Sequence, residues 1–144
     1  MLVRQILQSK PKQAVITVQP GTSISEAARL LAERRIGAVV VSADGKTPIG
    51  ILSERDIVRE LGRRGSGCLN DSVDVLMTKN IVTCSPADQA DGVLEQMTAG
   101  RFRHMPVIED GQMIGIISIG DVVAARLAEL KMEKDALAGM IMGN

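Results

Sequence analysis

The stretch Ile49-Gly50-Ile51-Leu52-Ser53-Glu54-Arg55-Asp56 returns as Ile114-Gly115-Ile116-Ile117-Ser118-Ile119-Gly120-Asp121, 65 residues later. Working outward, Asp44-Gly45 returns as Asp110-Gly111 at an offset of 66. Further out, Ile16-Thr17-Val18-Gln19-Pro20 returns as Val82-Thr83-Cys84-Ser85-Pro86, again at 66. The one-residue slip lies in the turn between the blocks, where a surface connection absorbs it. Blocks matched in order and in spacing mark an internal duplication of units of about 50 residues.

Each unit reads as β-α-β-β-α. A strand over 15–18 ends at Pro20, and Thr22 or Ser23 caps a helix whose Ile24, Ala27, Ala28 and Leu31 follow the 3.6-residue period. The β-branched run Ala38-Val39-Val40-Val41, the Asp44-Gly45 turn and Ile49-Gly50-Ile51-Leu52 then form a hairpin. Ser53 caps a second helix, over 54–61, which the basic, Gly-rich Gly62-Arg63-Arg64-Gly65-Ser66-Gly67 ends as a flexible linker. In the second unit the same reading gives a helix over 89–99, strands near 105–108 and 113–117, and a last helix over 121–142.

A unit of this size buries too little core to stand alone. The expected molecule is α+β: two repeats packed with pseudo-two-fold symmetry, small sheets inside and helices outside. Residues 1–70 make the first repeat with its N-terminal segment and linker, and 71–144 the second with its extended C-terminal helix. That helix carries an incomplete apolar stripe of Val122, Val123, Leu127, Leu130, Leu137 and Ile141. With nothing left in the repeat to cover it, the stripe predicts a homodimer.

The 144 residues carry 17 Lys+Arg against 17 Asp+Glu, spread evenly, which argues against a nucleic-acid binder. No apolar run approaches a membrane span, and Met1-Leu2-Val3-Arg4-Gln5-Ile6 begins no signal-peptide core, so a cytoplasmic protein is expected. Cys68 and Cys84 have no CxxC or metal spacing and read as reduced structural residues. His104 is the only histidine, which excludes a multi-histidine metal site. Aromatic residues make up 1%, so any ring this protein grips is held by aliphatic side chains and backbone. No nucleophile–base pair or redox motif is present, and the chain reads as no enzyme.

Ser53/Asp56 and Ser118/Asp121 stand at strand-to-helix junctions. One reading is purely local: Ser caps the helix and Asp three residues on completes a capping box. The other is functional: a carboxylate at a helix start suits the two hydroxyls of a ribose, and the helix end accepts a phosphate. Gly50 and Gly115, just before, permit a close backbone approach.

These blocks, with Arg35-Ile36-Gly37-Ala38-Val39-Val40-Val41 and Arg101-Phe102-Arg103-His104-Met105-Pro106-Val107, resemble a tandem pair of CBS domains over residues 1–125. The resemblance implies regulation without chemistry: no catalytic cofactor, but adenosine-containing ligands (AMP, ADP, ATP, NAD(H) or S-adenosylmethionine) in two clefts between the repeats. It also implies a homodimer serving a protein target the sequence does not name. The alternative is a pure dimerisation module with vestigial clefts.

Carried over by residue, the resemblance puts Ser118 and Asp121 on the ribose in one cleft, beside Gly120. Lys12, Gln13, Ile36, Gly37 and Ala38 form its adenine wall, with Arg103 and His104 near the phosphate. The other cleft takes Ser53 and Asp56 on the ribose, with Arg55 beside them. Thr78, Lys79 and Asn80 precede its strand, and Phe102, Arg103, Met105 and Pro106 form its wall. Because Arg55 is matched by Gly120, the Asp56 cleft is expected to prefer a mononucleotide. The Asp121 cleft, with Arg103 and His104 along a longer path, is expected to admit a bulkier ligand.

The remaining features have plainer readings beside these. His104 is a phosphate-edge contact or a packing residue. Arg101 and Arg103 are a solvated edge or a phosphate fork. Arg63 to Gly67 lacks the Gly-Lys-Ser/Thr of a P-loop, and the methionines fill core or interface.

Overall fold

Ala38, Val39, Val40 and Val41 are all buried, so β2 (Ala38–Val41) has no solvent face and must be the middle strand of its sheet. It pairs in parallel with β1 (Thr17–Val18) and antiparallel with β3 (Gly50–Ser53), Ala38 opposite Ser53. This is a computed structural model, which describes residues 1–10 and 15–143. In the second repeat β4 (His104–Glu109) pairs with β5 (Gln112–Ser118), His104 opposite Ser118. The expected third strand is reduced there to one parallel bridge, Cys84 to Val107.

The helices begin where the sequence marks them. Ser23 accepts the Glu26 N–H and caps α2 (Ile24–Arg34), while Ser53 and Ser118 cap α3 (Glu54–Arg64) and α6 (Ile119–Ile141). The counterpart of α2 is α5 (Ala90–Gly100). Arg35 and Arg101, at matched positions, end α2 and α5 in the left-handed conformation with φ of 53° and 56°. The two small sheets lie inside with helices packed over them, and the halves are related by a pseudo-two-fold axis. None of the described helices is long and apolar enough to cross a membrane.

Two short helices escape the sequence reading, α1 (Val3–Ser9) and α4 (Val73–Leu76). Each precedes one repeat and completes the core of the other. Val3 and Ile6 of α1 are buried with Val93, Met97, Met105 and Ile117 of the second repeat. Val73 of α4 is buried with Ile24, Leu31, Val39 and Leu52 of the first. Backbone bonds fix the exchange: Val3 N–H to Asp88 O at 2.9 Å and Ala90 N–H to Met1 O at 2.9 Å, matched by Val73 N–H to Thr22 O and Ile24 N–H to Asp71 O, both at 2.8 Å.

The Gly-rich stretch 62–67 is no flexible linker. Helix α3 continues to Arg64, Gly65 turns with φ of 77°, and a 3₁₀ turn over Ser66–Asn70 buries Cys68. Glu60, nearly buried, accepts from both Arg63 and Arg64, and Arg64 reaches Asp71 at 2.6 Å. The stretch that reads as a flexible linker in sequence is therefore tied down. Along α6, Val122 turns into the second core, whereas Val123, Leu127, Leu130, Leu137 and Ile141 stay exposed.

Candidate functional site

Both expected capping boxes are formed. Asp56 N–H donates to Ser53 Oγ at 3.2 Å, and Ser53 N–H to Asp56 Oδ2 at 3.0 Å. In the second repeat the same bonds measure 3.0 and 2.8 Å. The local reading of these residues is therefore correct, and it leaves a second carboxylate oxygen on each Asp for other partners. Each Asp lines a cleft between the repeats, of about 690 Å³ at Asp121 and about 700 Å³ at Asp56.

The Asp121 cleft is lined by Ile36, Gly37, Ala38, His104 and Ser118. Lys12 and Gln13 lie outside the described residues. Arg103 and Gly120 do not line this cleft; both face the other one. Arg103 is thereby lost from the longer phosphate path expected beside Asp121, leaving His104 alone there, because Arg103 at the strand entry and Gly120 at the start of α6 face Asp56.

The Asp56 cleft gathers Ser53, Arg55, Thr78, Asn80, Phe102 and Arg103. Lys79 does not line it; the chain there bridges β3 through Thr78, whose N–H and C=O pair with Ile51 at 2.8 and 3.0 Å. Met105 and Pro106 are not wall residues either. Met105 is fully buried in the second core, and Pro106 is a buried strand residue whose carbonyl accepts the Cys84 N–H at 3.0 Å. Strand alternation turns Met105 away from the face that His104 presents.

Gly50 and Gly115 do permit a close approach, but by the protein's own side chains. A Cβ on Gly50 would lie 2.2 Å from Met77 Sδ, and one on Gly115 2.8 Å from Leu7 Cδ2. The ends of α4 and α1 are thus pinned at the rims of the two clefts.

Several lining residues were not singled out from the sequence. Lys10, at the end of α1, donates to Asp121 Oδ2 and to the Ile116 carbonyl, both at 2.8 Å. Its only signal is three-dimensional, since 111 positions separate it from Asp121. Arg35 lines the Asp121 cleft as Arg101 lines the other, a pair the 66-residue offset reveals. Arg59, one turn after Asp56, lies 3.6 Å from Asp56 Oδ1.

Burial alone would raise the Asp121 pKa, but the Lys10 ammonium and the Ser118 N–H outweigh it and hold it below the usual carboxylate value. His104 lines both clefts, and its Nε2 lies 3.1 Å from where a Gly37 Cβ would stand. Burial lowers its pKa, and the nearby Asp121 and Glu54 do not offset this. A neutral imidazole against a bare backbone thus forms the wall between the clefts. Cys84 is buried and free, its thiol pushed up to about 12 by burial.

The family model for the CBS domain matches residues 3–63 and 72–128. A CBS-domain containing protein from Agrobacterium tumefaciens is 48% identical, with a TM-score of 0.83 over 88% of this chain and 99% of that one. The CBS domain pair of protein MJ0100, in complex with 5′-methylthioadenosine and S-adenosyl-L-methionine, is 28% identical, with a TM-score of 0.74 over 91% and 98%. A CBS domain protein from Pyrobaculum aerophilum complexed with AMP is 26% identical, with a TM-score of 0.73 over 84% and 89%. With two matched segments, two capping-box carboxylates at the seam and the α-β-β-α order in each half, the chain belongs to the CBS domain family as a tandem CBS pair.

Proposed function

We propose that this protein is a non-catalytic regulatory module whose two clefts bind adenosine-containing ligands such as AMP, ADP, ATP or NAD(H). One observation carries the reading: each cleft places a capping-box carboxylate with an oxygen to spare beside a helix N-terminus, in a space of about 700 Å³. That arrangement offers an acceptor for ribose hydroxyls and a positive helix end for phosphate. The AMP and methylthioadenosine complexes of similar proteins support it. Asp56→Ala and Asp121→Ala each remove the acceptor of one cleft, at a cost of about 2 kcal/mol or roughly 30-fold in affinity. Calorimetry with AMP on the two single variants and the double variant tests this. Unchanged affinity in the double variant refutes the ribose assignment.

The output is proposed to be protein contact through a homodimer. Along α6 the exposed Val123, Leu127, Leu130, Leu137 and Ile141 recur at spacings of four and three, with Lys134 at the one interrupted position. That spacing suits a helix pair between two copies.

A further inference from the structure

Arg55, Arg101 and Arg103 all line the Asp56 cleft, and none of them has a carboxylate partner within 4 Å among the described residues. Among the described residues Arg29 pairs with Glu26, Arg59 with Asp56, Arg63 and Arg64 with Glu60, and Arg126 with Glu129, so half of the six arginines without an ion pair are gathered at this one cleft. The cleft is lined by Arg55, Arg59, Arg101 and Arg103 against Glu54 and Asp56, so in a chain of zero net charge its field is positive.

Two helix starts face the same space. Ser53 to Asp56 of α3 and Ser118 to Gly120 of α6 both line the Asp56 cleft, so the positive ends of an 11-residue and a 23-residue helix meet there. Gly120 brings no side chain into the gap. A Cβ built on it would meet only Ser118 Oγ, at an ordinary 3.6 Å, so glycine here leaves room without being required by packing. The Asp121 cleft is built differently. Its charged lining among the described residues is Lys10, Arg35 and Asp121, with Lys10 bonded to that carboxylate, and its helix presents no Arg at the positions matching Arg55 and Arg59.

We propose that the Asp56 cleft selects the polyphosphate form of its ligand, with Arg55, Arg101 and Arg103 holding a di- or triphosphate chain between the starts of α3 and α6. This rests on the adenosyl reading for the nucleoside but not for the phosphates, and it reverses the expectation that this cleft prefers a mononucleotide. The unpaired guanidiniums supply planar donors matched to phosphate oxygens. Binding there rises with phosphate number and falls with salt.

The test uses Asp121→Ala protein, so that the Asp56 cleft is read alone, titrated by calorimetry with adenosine, AMP, ADP, ATP and tripolyphosphate. Affinity is expected to climb from AMP to ATP. Neutralising Arg55, Arg101 and Arg103 to Gln should reduce the ATP-over-adenosine preference about tenfold, at about 0.5 kcal/mol per exposed charge. Gly120→Glu should weaken ATP and leave adenosine unchanged. Tripolyphosphate separates the two ideas. If it binds the intact arginine cluster while no nucleoside binds, the phosphate site stands and the adenosyl reading falls. If AMP binds as tightly as ATP, or the Gln variant keeps the ATP preference while melting like the parent, the polyphosphate assignment is overturned.

Discussion

Replacing Lys10 by Met deletes an ammonium and keeps most of its aliphatic stem. The ammonium donates to Asp121 Oδ2 and to the Ile116 carbonyl, each at 2.8 Å, with both partners of the ion pair about one-quarter to one-third exposed at 26% and 33%. For a pair so placed the loss is about 1 kcal/mol of stability. That is about 4 °C in melting temperature for a chain of this size. The same ammonium shares Oδ2 with the Ser118 N–H and partly neutralises the carboxylate whose other oxygen a ribose would use, so its removal should strengthen that acceptor and tighten AMP in the Asp121 cleft about fivefold, again about 1 kcal/mol. Lys10→Met in an Asp56→Ala background isolates that cleft, and calorimetry beside a thermal melt reads both effects. The combination is diagnostic: a less stable protein that binds better. An AMP affinity that falls, or does not move, shows that Lys10 does not weaken Asp121 as an acceptor and refutes the reasoning. The acid side supplies a second check. The folded pKa of Asp121 is lowered, so its contribution is present above the usual value of about 4 and is lost as pH falls toward the folded value. Lys10→Met should bring that loss to higher pH.

His104 is predicted to cost stability in mild acid. Its folded pKa is lowered by burial, so the unfolded chain takes up the proton first and stability falls as pH drops below about 6.5. Lys10 and Arg103 add to that penalty while Asp121 and Glu54 oppose it. Urea midpoints at pH 7 and pH 5 should separate for the parent and converge for His104→Gln; equal separation in both proteins counts against it. For the dimer, Leu130→Glu puts a charge in the exposed stripe of α6 and should yield a monomer by light scattering with unchanged helix content, whereas a dimer of unchanged mass places the interface elsewhere.

The repeat was legible because it is written in local chemistry: β-branched runs, an Asp-Gly turn, and a Ser that caps its helix. Ser53, Asp56, Ser118 and Asp121 were therefore placed before any coordinates. What stayed hidden depends on contacts distant in sequence. Helix α1 has seven residues and α4 has four, too short to show a period, and each makes sense only against the other half of the molecule. Lys10 was invisible for the same reason. Arg63 and Arg64 read as part of a flexible linker because their anchor, Glu60, reads as one more surface acid until burial is known. The misplacement of Met105 is an error of strand parity, and that of Pro106 one of burial along the strand. Arg103, expected in both clefts, lines only that of Asp56, and Gly120 faces the opposite cleft from its neighbour Asp121.

The exchange of α1 and α4 also bears on the order in which the chain acquires structure during synthesis. The first core is complete once Val73 has been made, because α4 follows directly on the repeat it seals. The second core needs Val3 and Ile6, which are translated early, together with Val122, which is translated late. At ordinary elongation rates these residues wait on the order of 10 s for their partners. During that interval the ribosome carries a first repeat without its partner repeat, with an apolar N-terminal segment still uncovered. This is a nascent state that must be kept from other chains until the second repeat arrives to take it up.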